Sequence, residues 1–307
     1  MKPKKKALFA SILAAAVMVG AMPLGAAAAD TPAPYVESDT TMNFLVEQGK
    51  TYTFKMTVHG THANPNIVMG NGAAFQTREV RKVTENGNDV YYFKVLATGE
   101  EGQAAGIYTT LPGQPSVKHA VAAIPYLASG GFDEKNAKTY EVGKDMPAGE
   151  YVLTPIAPTY YTYMEVDDAK GSALTSSLSQ GQGARTYVTV YDGQSVILQD
   201  GAMVAVQNSV RALPNEKGQL GIGSSNSFDL TYKCGFDFAP GTYTIYHDST
   251  PRGDGSVVNE SRIAIYDSSD FTLNAQPVYA QTFTGSTQVT LKAGQYIALD
   301  CAYIQLT

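Results

Sequence analysis

Two stretches of this chain share one spacing of Tyr, Gly and Asp. Tyr140–Tyr151 reads YEVGKDMPAGEY and Tyr232–Tyr243 reads YKCGFDFAPGTY. At an offset of 92, Tyr140/Tyr232, Gly143/Gly235, Asp145/Asp237, Gly149/Gly241 and Tyr151/Tyr243 coincide. Two later stretches, Thr186–Val206 and Thr287–Leu306, align at an offset of 101 through Val188/Val289, Gly193/Gly294, Gln194/Gln295 and Leu198/Leu299. The middle aligns weakly through Asp167/Asp267, so most of the growth in offset falls between Tyr243 and Asp267. Internal repetition of this kind means one supersecondary block built twice. Each block reads as a strand, a P-A-G or A-P-G turn, a second strand, a variable middle and a final G-Q hairpin. The turn glycines suit a positive φ that a β-carbon resists.

Apolar residues alternate along the rest of the chain, with no helical period, as in half-buried strands. Thr51–Val58 (TYTFKMTV) puts Tyr52, Phe54, Met56 and Val58 on one face. Val90–Leu96 (VYYFKVL) follows Asn86-Gly87-Asn88-Asp89, a hairpin turn, with Gln76–Thr84 as its partner strand. Ala105–Leu111 and Val117–Ile124 complete a set of short strands spanning about a hundred residues, the pattern of a sandwich. The fold class expected is therefore all-β: an N-terminal immunoglobulin-like sandwich over 30–124, then two small β-sandwich or jelly-roll repeats over 139–207 and 227–307. Linkers are expected at 125–138 and 208–226, where Gly, Pro, Ser and mixed charges gather.

The first thirty residues have a different grammar. MKPKKK is a positive start, Ala7–Ala26 is apolar, and Ala27-Ala28-Ala29 precedes Asp30. That is the order of a secretory signal peptide over 1–29, cleaved after Ala29. A retained anchor is the rival, since the apolar stretch could just span a bilayer. Cleavage takes away four of the 22 basic residues. It leaves 18 against 28 acidic ones, a net charge of −10 on 278 residues. An acidic balance argues against a nucleic-acid partner. No second apolar span follows, so no transmembrane segment is expected after cleavage. The 16% charged fraction is below the roughly 25% of soluble domains, and there is ample apolar surface to bury, which excludes disorder.

The residues Tyr52-Thr53-Phe54-Lys55, Gly70-Asn71-Gly72, Tyr91-Tyr92-Phe93-Lys94-Val95 and Gly106-Ile107-Tyr108 carry a resemblance. The stretch Asp39–Ile124 resembles an immunoglobulin-like module of exported proteins from clostridia-type bacteria. Val142–Tyr151 (VGKDMPAGEY) resembles a repeat of exported and surface proteins of Gram-positive bacteria. The resemblance implies a secreted or surface-associated β-module and no particular chemistry. The usual immunoglobulin disulfide and core Trp are absent, so the module would be a variant without that staple.

Candidate chemistry is sparse. Cys234 and Cys301 share strand parity with core positions and could bond in an oxidising exterior. Closing the loop of about 67 residues between them would contribute about 4 kcal/mol in the chain-entropy model. Two buried thiols that never meet are the alternative. His59 and His62 could be half of a metal site, but zinc wants three or four ligands. His247-Asp248-Ser249 lists the residues of a hydrolase triad in adjacent positions, which cannot converge as a triad does. Asp167, Asp168, Asp267 and Asp270 could hold Ca²⁺ at sandwich loops or simply cap turns. No other cofactor is indicated. Tyr160, Tyr161 and Tyr163 could offer aromatic faces to a sugar, although without Trp the largest stacking surface is missing. Arg252-Gly253-Asp254, in PRGDG, resembles the integrin-recognition tripeptide and would sit in an exposed turn. The expected function is a secreted, non-catalytic structural or binding protein with an extracellular glycan or protein partner. A carbohydrate-binding accessory protein is the first alternative and an RGD adhesin the second.

Overall fold

Every connection in this chain has to satisfy strands that alternate inward and outward, and the result is three sandwiches in series. The computed structural model describes residues 32–131, 133–156, 161–167, 173–179, 183–221, 230–249, 257–270 and 275–306. The expected signal peptide over 1–29, Tyr160, Asp168 and Arg252-Gly253-Asp254 lie outside the described residues. Pro34–Thr307 forms one compact unit. Among the described residues there is no α-helix, and no helix is long and apolar enough to cross a membrane.

The first sandwich contains β1 (Tyr35–Ser38), β2 (Phe44–Leu45), β3 (Thr51–His59), β4 (Asn66–Met69), β5 (Phe75–Glu85), β6 (Asn88–Ala97), β7 (Ala104–Thr110) and β8 (Val117–Ala123). Its sheets are ordered β1-β3-β6-β5 and β2-β8-β7-β4, with β2 parallel to β8. This is the immunoglobulin arrangement, its first strand divided between the two sheets. The expected alternation holds: Phe54, Met56 and Val58 are buried and pack with Phe93, Val95 and Ile107. Asn86 and Gly87 both have positive φ (50° and 80°), as the tight turn joining twisted strands demands.

The second sandwich contains β9 (Tyr126–Ala128), β10 (Lys138–Glu141), β11 (Gly149–Pro155), β12 (Tyr161–Asp167), β13 (Ala173–Ser179), β14 (Thr186–Val190), β15 (Ser195–Gln199) and β16 (Gly201–Ala205). The third contains β17 (Gln219–Leu220), β18 (Leu230–Lys233), β19 (Gly241–His247), β20 (Ser261–Tyr266), β21 (Tyr279–Phe283), β22 (Ser286–Leu291), β23 (Tyr296–Asp300) and β24 (Ala302–Gln305). Sheets β14-β11-β16-β9 and β10-β15-β12-β13 match β22-β19-β24-β17 and β18-β23-β20-β21 strand for strand. Eight strands in this order make a jelly roll, so the repeat is two jelly rolls.

Three expectations are corrected. Both linkers contain a strand. β9 pairs with β16 (Gly201↔Ala128) and β17 pairs with β24 (Leu220↔Ile304). Tyr126, Ala128 and Leu220 are buried core. A jelly roll needs this first strand to cover the last, so the repeats begin earlier than the sequence similarity does. Second, the G-Q turn is no hairpin. β14 and β15 belong to different sheets, as do β22 and β23. Third, Asp167 does not correspond to Asp267. Asp167 faces Ser195 and Tyr266 faces Tyr296, and Ser195 and Tyr296 are the equivalent pair.

The repeated residues build turns at one end of each jelly roll. Gly143 and Gly235 take φ of 93° and 90°, and their N–H groups donate to Met146 O and Phe238 O at 2.7 Å each. Asp145 Oδ2 accepts the Glu141 N–H and Asp237 Oδ2 the Lys233 N–H, both at 2.9 Å. Tyr151 Oη donates to Pro147 O (2.7 Å) and Tyr243 Oη to Ala239 O (2.5 Å). Gln194 Oε1 accepts the Tyr191 N–H (2.7 Å) and Gln295 Oε1 the Lys292 N–H (2.9 Å). The signature is therefore a folding device.

The sandwiches are fastened to each other. Glu101, in the turn before β7, accepts from Lys138 Nζ (2.8 Å), Tyr140 Oη (3.0 Å) and the Leu127 N–H (3.3 Å). Between the jelly rolls, Arg185 meets Asp237 at 3.0 Å with both side chains buried. Tyr187 Oη donates to the same carboxylate at 2.7 Å. Lys233 pairs with Glu150 at 2.6 Å. Burial alone would lower the Lys233 pKa, but bonding to Glu150 and Tyr296 outweighs it and raises it. A raised lysine stabilises fully below the unfolded value, about 10.4, and that stability is lost as pH rises through the folded value. Alkaline denaturation curves of wild type and Lys233→Met should therefore differ at pH 9 and converge well above pH 10. Curves that stay equally far apart would refute the assignment.

Candidate functional site

Outward residues on a jelly-roll sheet meet solvent unless another module covers them, and the two jelly rolls differ in this. In the second, the outer face of sheet β18-β23-β20-β21 carries Thr231, Ala298, Ala264 and Tyr296, all at 4% exposure or less. The first jelly roll covers them. The Tyr187 and Tyr296 rings are edge to face at 5.5 Å, Tyr187 N–H donates to Thr231 Oγ1 at 2.9 Å, and Val152 joins the same apolar cluster.

The equivalent face of the first jelly roll, on β10-β15-β12-β13, is covered by no other module among the described residues. Register places Glu165 and Thr139 on either side of Ile197, Asp167 and Glu141 on either side of Ser195, and Tyr163 beside Gln199. Tyr161 is 57% exposed. Tyr161 and Tyr163 point outward because Thr162 and Met164 point in, fully buried. Tyr163 Oη donates to the Glu165 carboxylate. Burial, then Glu165, pushes the Tyr163 pKa up to about 12, so it stays a neutral donor. The face combines an exposed and a half-buried tyrosine, carboxylates and an aliphatic centre, with the Gln199 amide buried at its edge. Of these, the sequence singles out the two tyrosines, and Asp167 only as a possible calcium ligand. Glu165 was findable by its strand parity with them, whereas Gln199 and Ile197 needed the pairing of β12 with β15.

The other candidates do not converge. Cys234 and Cys301 are buried and form no disulfide. Cys234 N–H donates to Gln295 O, at the start of β23, while Cys301 follows its end. Six residues of strand separate those points by about 20 Å, far beyond disulfide reach. Cys301 instead occupies a one-residue corner (φ 49°) where the chain changes sheet, as Asp200 (φ 46°) does in the first jelly roll. His59 bonds Glu37 (2.9 Å) and His62 bonds Asp89 (3.2 Å), so each serves its own carboxylate. Among the described residues no group of three His, Cys, Asp or Glu could hold a metal. Asp267 accepts from Gln295 (2.9 Å) and Asp270 from Tyr191 (2.9 Å).

His247 lies 2.8 Å from Ser261 Oγ, the sole Ser–His contact among the described residues. Ser261 is fully buried and donates its proton to Cys301 O, so the imidazole donates to it. That is the reverse of a general base. Thr162 makes the same bond to Asp200 O (2.6 Å) in the first jelly roll, so Ser261 braces a corner.

An open cleft of about 300 Å³ lies beside β22, and Ile265, Val278, Tyr279, Lys292 and Gln295 are among its walls.

No family model matches this chain, and no curated protein does. Several solved structures match. One is SGBP-B of the Bacteroides ovatus mixed-linkage glucan utilization locus, in complex with a mixed-linkage heptasaccharide, at 11% identity and a TM-score of 0.19, covering 87% of this chain and 74% of that one.

Proposed function

We propose that this is a non-catalytic extracellular binding protein of a Gram-positive surface, whose ligand is a glycan held on the open outer face of the first jelly roll. The observation that carries this is the contrast between equivalent faces. One is closed by a neighbouring module, and the other exposes Tyr161 beside the half-buried Tyr163 and Glu165. Tyrosine rings offer apolar area to the C–H face of a sugar and hydroxyls to its edge. Amide and carboxylate groups accept and donate as sugar hydroxyls require. The reversed polarity of the Ser261–His247 contact supports a role without turnover. Export rests on the charge, apolar stretch and small-residue site of the first 29 residues.

The test is a glycan array with the mature protein, followed by titration of any bound glycan. Tyr161→Ala should weaken binding about tenfold, roughly 1.4 kcal/mol. It should leave the unfolding transition within about 0.5 kcal/mol, as for an exposed position. An array with no bound glycan, or affinity untouched by Tyr161→Ala, sinks the proposal.

A further inference from the structure

Edge strands β14 and β22 keep the same register against β11 and β19 (Glu150↔Thr189, Thr242↔Thr290). The same alternate N–H groups therefore point outward: Tyr187 and Thr189 in one jelly roll, Gln288 and Thr290 in the other. On β14 both are taken by the second jelly roll. Tyr187 N–H donates to Thr231 Oγ1, and Thr189 N–H donates to Ser269 O at 3.0 Å. The Asp267-Ser-Ser-Asp270 segment also brings Ser269 Oγ to 2.8 Å from Thr189 Oγ1 and the Asp270 carboxylate to the Tyr191 hydroxyl. On β22 no described residue covers this edge. Thr290 repeats Thr189, and an exposed Lys292 stands in place of Tyr191. The cleft lies directly behind, with Val278 and Tyr279 exposed at its rim.

We propose that the β22 edge and its cleft bind an extended acidic peptide, a Ser- and Asp-bearing segment of a partner protein. Its backbone carbonyls would meet the Gln288 and Thr290 N–H groups, as in strand addition to a free edge. Its carboxylate would sit on Lys292, and an adjoining apolar side chain would enter the cleft against Tyr279. The chain shows in its own first jelly roll what covers such an edge, a Ser-Ser-Asp segment. It also shows why a whole second copy is the poorer fit. The large anchors Arg185, Tyr187 and Val152 are replaced at equivalent positions by Ser286, Gln288 and Thr244, and interfaces depend on such anchors.

The experiment is fluorescence anisotropy of a labelled peptide containing the 267–270 sequence, titrated with the mature protein. Micromolar binding is expected, weakened at least about tenfold by Lys292→Glu, which lies at an exposed position, and unchanged by Tyr161→Ala. Thr290→Pro, which removes one edge N–H, should weaken it similarly, with the Lys292 variant as the readout if the proline disturbs folding. No binding up to about millimolar peptide overturns the proposal, as does binding indifferent to Lys292→Glu. Self-association abolished by Lys292→Glu, without peptide binding, would make the occupant a second copy instead. Displacement of the peptide by a neutral oligosaccharide would make it a glycan.

Discussion

Arg185→Ala is expected to cost about 3–5 kcal/mol, because it strands the Asp237 carboxylate, whose side chain is fully buried. Against a typical total of about 5–15 kcal/mol, that is enough to separate unfolding of the two jelly rolls. Asp237 is unusual in its load. Besides the Lys233 N–H it shares with its counterpart's turn-capping role, it accepts from Arg185, Tyr187 Oη and the Ala212 N–H (2.7 Å). Asp145, its equivalent, is exposed and, among the described residues, accepts the Glu141 N–H in its own turn. One signature aspartate has thus become the anchor of a module interface. Urea denaturation followed by two probes, with limited proteolysis, should show an earlier and broader transition for Arg185→Ala. The double variant Arg185→Met/Asp237→Asn should be less damaged than the single one, because no unpaired charge remains buried. Lys144→Ala, which breaks an exposed pair with Glu141, should leave the transition where it is. A change below about 1 kcal/mol for Arg185→Ala would show that the interface is held by apolar packing around Tyr187 and Tyr296 instead.

Much of this architecture was readable because local rules governed it. Asn86-Gly87 announced a turn with two positive φ values, and alternation placed Phe54, Met56 and Val58 inside. The signature Tyr, Gly, Asp and Gln residues announced repetition. Their purpose became plain only when Tyr151 was seen to hold Pro147 O and Gln194 to hold the Tyr191 N–H. What local rules could not tell is which sheet a strand joins. A turn glycine looks the same in a hairpin and in a corner between sheets, so the G-Q element reads as a hairpin in the sequence and is a corner in the structure. Strand parity put Cys234 and Cys301 on one face but was blind to their places at opposite ends of β23. The candidate site was half legible for the same reason. Tyr161 and Tyr163 share parity along one strand, but which of two equivalent faces is covered depends on module docking between residues about a hundred positions apart, such as Tyr187 and Tyr296.

Similarity between the repeats starts at Thr139, yet β9 and Tyr126 precede it. The Tyr126 ring is 4% exposed and packs edge to face against Tyr140 (5.2 Å) and Tyr151 (6.0 Å). Gly102 (φ 85°) fits directly beneath it, where a Cβ would lie 2.5 Å from the ring Cζ. A fragment starting at residue 139 loses that ring and leaves the β16 edge unpaired. Removing a buried aromatic costs about 3–5 kcal/mol, and a bare edge strand invites association. Such a fragment should be insoluble or lack a cooperative transition, while one starting at residue 125 should fold. Tyr126→Ala in the full chain should lower stability by the same 3–5 kcal/mol range, with the immunoglobulin-like sandwich unfolding as before. Equal thermal transitions for the 125–307 and 139–307 fragments would show that β9 is dispensable. The jelly roll would then be closed by its remaining seven strands.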